Sequence, residues 1–270
     1  MRSFKASVAR TLRRLNLLRS KTLDRPGAGE MDPGLGAERV MAARHALTSL
    51  FLKPDMVGVE VGAGTRPFPV PPHVRVTYGD IRDSEALKTY FSGRTTVGGH
   101  QTYDAQTMAN FKPDSLDFVL SGHVIEHLQD PVGSIKNTIN VLAKGGFFIL
   151  AAPDMRLTFD RDRPETTVDH VLQDYADGGA STRRQSYFEH LTFVHPVLTG
   201  EHLPSAEIDR QATAAALRYK ELDIHVHAWT MDGFRKMLEA TQSIVPFTIV
   251  TAFPIENENI FVLQKVGRVA

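Results

Sequence analysis

The chain has 270 residues, enough for one large domain, or one domain with an insertion, around an ample apolar core. Thirty-one basic residues balance thirty-one acidic ones, so no global field draws it towards nucleic acid, and no apolar run approaches the length of a membrane span. The absence of cysteine excludes disulfides and thiolate metal sites and suits a cytoplasmic protein.

Residues 1–25 depart from this balance, with eight Lys or Arg against the single acid Asp24. Phe4, Val8, Leu12 and Leu15 recur at helical spacing, which predicts a basic amphipathic helix. Three readings stay open: a helix docking on a membrane or a partner, a mitochondrial presequence, and a solvated or frayed tail. Pro26-Gly27-Ala28-Gly29 and Asp32-Pro33-Gly34-Leu35-Gly36 read as a linker, so residues 1–36 form an extension ahead of a domain over 37–270.

Ala37 to Leu52 reads as a helix with Val40, Ala43, Leu47 and Leu50 on one face, stopped by Lys53-Pro54-Asp55. Val57 to Val61 is an apolar strand running into Gly62-Ala63-Gly64-Thr65-Arg66-Pro67. Gly62 and Gly64 let the backbone bend sharply and come close to a ligand. A dinucleotide loop would carry a third glycine where Pro67 stands, so the turn suits a nucleoside ligand without a pyrophosphate. Val74 to Tyr78 is a second strand closed by Gly79-Asp80, and an acid there can accept hydrogen bonds from both ribose hydroxyls.

Residues 81–99 read as a helix and loop, His100 to Tyr103 as a weak third strand, and Leu116 to Ser121 as a fourth. Pro131 to Ala143 is a helix with Val132, Ile135, Ile139 and Leu142 inward, capped by Gly145-Gly146. Phe147 to Ala152 is a buried fifth strand ended by Pro153-Asp154. The charged, histidine-rich stretch from Met155 to Ile224 is too long for a simple connection and is expected to be a mostly helical lid over the mouth of the site. Met231 to Thr241 is a helix with Phe234, Met237 and Leu238 buried; Pro246 to Phe253 and Asn259 to Lys265 are two closing strands. The alternation predicts a doubly wound α/β sheet whose ligands sit at the carboxyl ends of the strands.

Glu60-x-Gly-x-Gly, Asp80, Tyr103-Asp104-Ala105 and Ser115-Leu116-Asp117-Phe118-Val119 precede the run from Ser121 to Leu128. In that order and spacing they resemble class I S-adenosylmethionine-dependent methyltransferases, over Ala37 to Asp154 and again in the last forty residues. The resemblance implies a seven-stranded, Rossmann-like doubly wound sheet with the inserted lid and a C-terminal antiparallel hairpin. It also implies S-adenosyl-L-methionine as cofactor, bound by Glu60, Gly62, Ala63, Gly64, Asp80, Asp104, Ala105, Ser121 and His123. The turn backbone would contact the methionine part, Asp80 the ribose, and Asp104 with Ala105 the adenine amino group. Ser-x-His-Val-x-Glu-His-Leu, Pro-Asp and a late His-x-His-x-Trp-Thr are shared with bacterial small-molecule and surface-glycan methyltransferases. That implies methylation of a small molecule or sugar at a hydroxyl or, as second choice, an amine. Two readings from other classes are a non-catalytic scaffold docking a partner through its N-terminal helix, and an NAD-dependent oxidoreductase, which Pro67 opposes.

His123-Val-Ile-Glu126-His127 satisfies H-x-x-E-H, an inverted zinc-peptidase pattern. Such a site needs both histidines on one helical face, a further acidic ligand and an open coordination position. The strand and Ser-Gly turn ahead of the string argue instead for a helix shaping the cofactor pocket, so no metal is expected. His225-Val226-His227 places two imidazoles on one side of an extended segment leading into the last helix. A neutral imidazole there can take a proton from a hydroxyl. His227 is the expected catalytic base, His225 its support and Asp154 its orienting carboxylate; the competing reading is a pair that hydrogen-bonds loops together. The run from Arg156 to Pro164 either recognises an anionic or sugar-like acceptor or is a solvated loop.

Overall fold

The structure is a computed structural model that describes residues 33–98 and 100–267. The expected N-terminal basic helix lies outside the described residues. Helix α1 (Pro33–Phe51) begins inside the expected linker, because a proline at the first helical position loses only an N–H that has no partner there. Its inner face is Val40, Arg44, Leu47 and Thr48, all buried, whereas Leu50 is exposed. The buried arginine turns the apolar face away from the one that hydrophobicity alone predicts.

Strands β1 (Val57–Val61), β2 (Arg75–Asp80), β3 (Gln101–Thr102), β4 (Leu116–Gly122), β5 (Leu142–Pro153), β6 (Phe247–Ile255) and β7 (Glu258–Lys265) form one sheet in the order β3-β2-β1-β4-β5-β7-β6. All neighbours are parallel except β7, which runs antiparallel between β5 and β6. The sheet is covered on both faces. Val119, Phe148 and Leu150 pack with α3 (Pro131–Val141) and α8 (Met231–Thr241) on one side, through Val132, Ile135, Ile139, Phe234 and Leu238. Phe118, Leu120 and Ile149 pack on the other with Leu47, Leu52 and Phe68. Successive residues therefore feed opposite cores, which is why the central strands read as continuous apolar runs.

The junction of α3 with β5 differs from expectation. Helix α3 stops at Val141, and β5 starts directly at Leu142, so Gly145 and Gly146 lie inside the strand rather than capping the helix. The pairing of β4 with β5 shifts register between Leu116 and Phe118, and a side chain at Gly146 would come within 2.8 Å of the Asp117 carbonyl. The glycine serves close strand approach. Helix α2 (Ser84–Tyr90) is N-capped by Asp83, which accepts from Ala86 N–H.

After β5 the chain runs through a 3-10 turn (Met155–Leu157), α4 (Val168–Asp177), α5 (Arg183–Glu189), a π turn (His190–Val194), α6 (His195–Thr199), α7 (Ser205–Ala216) and a 3-10 turn (Tyr219–Glu221). Tyr187, Leu191, Ile208, Ala212, Ile224 and Val226 give this stretch an apolar core of its own. Its two ends meet: Asp154 bridges Trp229, and Met155 N–H donates to Trp229 C=O at 2.9 Å. No helix among the described residues is long and apolar enough to cross a membrane.

Candidate functional site

The parallel strands β1, β2, β3, β4 and β5 all deliver their carboxyl ends to one edge of the sheet, and that edge collects most of the predicted residues. At the end of β1 the chain turns through Gly62 (φ 72°) and Gly64 (φ 53°), conformations that favour glycine. Both glycines are also packed against. A Cβ on Gly62 would stand 2.3 Å from Val124 Cγ2, and one on Gly64 would stand 2.6 Å from Phe91 Cζ. The turn after β1 and the segment after β4 are thus pressed together. Among the described residues the backbone N–H groups of Ala63, Gly64 and Thr65 donate to no other group. Three adjacent free donors at a strand end form a cradle for a carboxylate.

Glu60, in β1, is buried, and both carboxyl oxygens lie 3.0 Å from Phe68 N–H. Burial pushes its carboxyl up to about 8, against the opposing pull of the Phe68 N–H and Arg44. A neutral acid bound to Phe68 holds the turn from Val61 to Phe68 shut from inside. Asp80 ends β2 with Oδ1 2.9 Å from Arg82 N–H, and the Arg82 guanidinium continues to Asp223 at 2.8 Å. Asp104 follows β3, where its carboxylate is held in its own turn by Gln106 N–H at 2.8 Å and Thr107 Oγ1 at 3.0 Å. The Ala105 carbonyl accepts from Ser134 at 2.7 Å. Ser121 is buried in β4, and His123 follows with φ 57°, a left-handed backbone that non-glycine residues seldom adopt.

The segment after β4 is a single 3-10 turn (Ile125–His127) rather than the expected helix. Its backbone is fastened to the stretch before α8: the Glu126 carbonyl accepts from Val226 N–H at 2.8 Å and His227 N–H at 3.1 Å. That brings His225 beside Glu126 and His127, with the His127 and His225 ring centres 4.8 Å apart. His225 Nδ1 lies 2.6 Å from Asp160, whose own carboxyl is raised by burial but drawn down to about 2 by His225 and Arg163. Burial lowers the pKa of His225 itself, with Asp160 opposing.

His227 is set apart. Its ring is fully buried, stacked on Trp229 at 5.1 Å, with Nε2 2.7 Å from Asp174. Burial lowers its pKa, against the pull of Asp174. Asp174, not Asp154, is therefore the carboxylate that orients His227. Asp154 instead receives two Arg156 side-chain hydrogen bonds, at 2.9 and 2.7 Å; burial raises its carboxyl, but Arg156 outweighs this and leaves it below the usual range. The charged run after β5 is also not a free loop. Arg163 is buried and donates to the His225 carbonyl at 2.7 Å and the Val226 carbonyl at 3.1 Å.

Several residues that complete this edge were not singled out from sequence. Arg82 sits two positions past Asp80, and that proximity was the available signal. Asp160, Asp174, Asp223 and Glu258 come from remote segments, and only the fold brings them to the histidines. Two groups of side chains are spaced to share a cation: Glu126, His127 and His225, and His170, Asp174 and His227.

A parallel-based sheet of seven strands with β7 reversed, its ligand turn after β1 and its acid ending β2, defines a class I methyltransferase fold. Residues 57–150 match the family described as methyltransferase domain. The matched residues carry the Gly62–Gly64 turn, Asp80 and the Glu126–His127 segment. Among solved structures it is similar to the CurJ carbon methyltransferase, with 17% identity and TM-score 0.44 over 80% of this chain and 50% of that one. It thus spans half the length of that relative. A Haloferax volcanii complex containing the Trm112 methyltransferase activator is similar at 12% identity and TM-score 0.47, over 87% of this chain and 94% of that one. An Aquifex aeolicus SAM-dependent methyltransferase is similar at 9% identity and TM-score 0.43, over 88% of this chain and all of that one, 100%. No curated protein matches the sequence.

Proposed function

We propose that this protein moves the methyl group of S-adenosylmethionine to a hydroxyl of a small molecule or sugar. The observation that carries the reading is the junction of the Gly62–Gly64 turn with the Glu126–His127–His225 group through Val124. It sets proton-accepting side chains directly beside the turn assigned to the cofactor. A hydroxyl must lose its proton as the new bond forms, and such a group can take that proton directly or hold a cation that makes it easier to lose.

When bound, the cofactor supplies a sulfonium methyl. The acceptor oxygen forms the new bond to that carbon while the carbon–sulfur bond breaks, its electron pair staying on sulfur as the neutral thioether. The hydroxyl proton passes to a basic group at the site. In this chain the Ala63, Gly64 and Thr65 N–H groups would receive the cofactor carboxylate, and Asp80 the ribose hydroxyls. Positioning of this kind supplies about 7–11 kcal/mol in favourable cases, and a general base a further 10²–10⁴-fold or so.

His227 lies too deep to touch an acceptor and serves as a positioning residue, clamped by Asp174. The helical stretch from Met155 to Ile224 acts as the lid, and closure over the strand ends would exclude water. The basic residues 1–25 suit contact with an anionic membrane or partner surface. Vesicle binding that falls with salt and on their deletion would support that contact.

The test has two arms. Titration calorimetry should give S-adenosylmethionine binding to the wild type that Asp80→Ala weakens at least about tenfold, since each charge-assisted bond contributes about 1.5–3 kcal/mol. Labelled methyl transfer into a metabolite extract, followed by mass spectrometry, should place the label on oxygen. Label on carbon or sulfur would overturn the hydroxyl reading, and unchanged affinity in Asp80→Ala would remove Asp80 from the site.

A further inference from the structure

Glu126 is completely buried, yet neither of its carboxylate oxygens accepts a hydrogen bond. A buried carboxylate without partners is costly unless a positive charge answers it. What surrounds it are histidine nitrogens at distances too long for hydrogen bonds. His127 Nε2 is 3.6 Å from Glu126 Oε1, His123 Nδ1 is 3.7 Å away, and His225 Nε2 is 3.8 Å away.

Each histidine has its other nitrogen already engaged by an oxygen acceptor. His225 Nδ1 is 2.6 Å from Asp160. His127 Nδ1 is 3.0 Å from the Ile224 carbonyl and 2.7 Å from Asp223. His123 Nε2 is 2.9 Å from Glu258. An oxygen acceptor fixes the proton on the nitrogen it meets, so in each neutral ring the inward nitrogen is the one without hydrogen. Three such nitrogens turned on a bare carboxylate repel it and one another. Outer-sphere carboxylates and carbonyls that set the tautomer in this way are the usual partners of metal-bound histidine.

We propose that Glu126, His127 and His225 bind one divalent transition-metal ion, with His123 in reach as a further ligand. Ligand atoms on a tetrahedral zinc ion are about 3.4 Å apart. The 3.6 and 3.8 Å separations from Glu126 to His127 and His225 need to close by only a few tenths of an ångström. Imidazole nitrogens with one carboxylate select zinc, iron or manganese over calcium or magnesium. This departs from the expectation of no metal at the H-x-x-E-H string, because the ligand that completes the set, His225, comes from the distant end of the helical stretch.

His123 and His127 are the more exposed members of the group, so an ion there has its open positions on the solvent side, next to the Val124–Gly62 contact. That side would receive a hydroxyl of the acceptor, an assignment that rests on the hydroxyl reading above. The ion site itself does not.

The experiment uses the full chain, stripped with chelator and titrated with Zn²⁺ and with Mn²⁺, alongside elemental analysis of the protein as purified. One ion per chain is expected. Glu126→Gln, which keeps the side-chain shape, and His225→Ala should each weaken uptake at least tenfold, whereas His170→Ala in the neighbouring group should leave it unchanged. Far-ultraviolet circular dichroism and cofactor calorimetry on the same samples separate lost metal from lost fold. No stoichiometric uptake of either ion, uptake indifferent to Glu126→Gln, or loss in His170→Ala instead would each overturn the site. Cofactor binding without metal uptake would sink this inference alone; metal uptake without cofactor binding would sink the methyl-transfer reading and leave the ion.

Discussion

Arg82 Nη2 donates to Asp223 Oδ2 at 2.8 Å, joining residues 141 positions apart. The backbone N–H of Arg82 holds Asp80, the acid assigned to the cofactor ribose, while Asp223 also meets His127. A continuous line of charge therefore leads from the cofactor side to the histidine group.

Asp223→Ala should separate the two ends of that line. The ion pair is partly exposed, so stability should change by no more than about 1 kcal/mol, and cofactor affinity by less than about fivefold. Methyl transfer should fall about 10–100-fold, because His127 loses the carboxylate that fixes its ring. Calorimetry and a single-turnover assay on one preparation check both. Equal losses in affinity and rate would mean that Asp223 acts through the cofactor instead.

The contact between Gly62 and Val124 predicts a graded stability series. Gly62→Ala meets both a left-handed backbone and a 2.3 Å clash with Val124 Cγ2, and should cost about 1–3 kcal/mol in denaturant unfolding. Adding Val124→Ala removes the clash but not the backbone strain, so it should recover part of the loss. Full recovery would show that φ at Gly62 carries no energy.

Two buried acids should tilt stability against pH in opposite senses. The Glu60 carboxyl lies near 8 in the folded chain, above its ordinary 4.5. The folded state then holds a proton that the unfolded state has released, so this contribution is present below the ordinary value and is lost as pH rises towards 8. For Glu258, burial raises the carboxyl, but His123 and Arg44 outweigh it and bring it below its usual range. Its contribution is present above the ordinary carboxylate range and is lost as pH falls through the lowered value. Glu60→Gln should flatten the fall in stability between pH 5 and pH 8 or so. Glu258→Gln, which leaves buried Arg44 without its 2.8 Å partner, should cost about 3–5 kcal/mol at neutral pH. An unaltered alkaline slope in Glu60→Gln would rule out a neutral Glu60.

The sheet was legible because its strands are apolar on both faces and its glycines and prolines mark the turns. Val57–Val61 and Met231–Thr241 have the expected boundaries. Local pattern failed in two places: buried Arg44 turned the face of α1, and β5 runs back to Leu142, which pairs with Leu116, past the close approach of Gly146 to Asp117. The turn residues at the carboxyl edge were readable because each stands directly after a strand. The carboxylate partners of the histidines were not, since Asp160 with His225 and Asp174 with His227 are separated by 65 and 53 residues, and no spacing rule links them.

The bridge between Asp154 and Trp229 has a consequence for how this enzyme could diversify. Both ends of the helical stretch are stitched to each other at one point of the sheet, and the stretch carries its own apolar cluster. It behaves as a cassette. On the lid reading proposed above, replacing it would change what is accepted while the strands, the glycine turn and Asp80 keep their places. Asp154 and Trp229 mark its boundary, so His225 lies within it and would have to be supplied again by any replacement that kept the proposed ion.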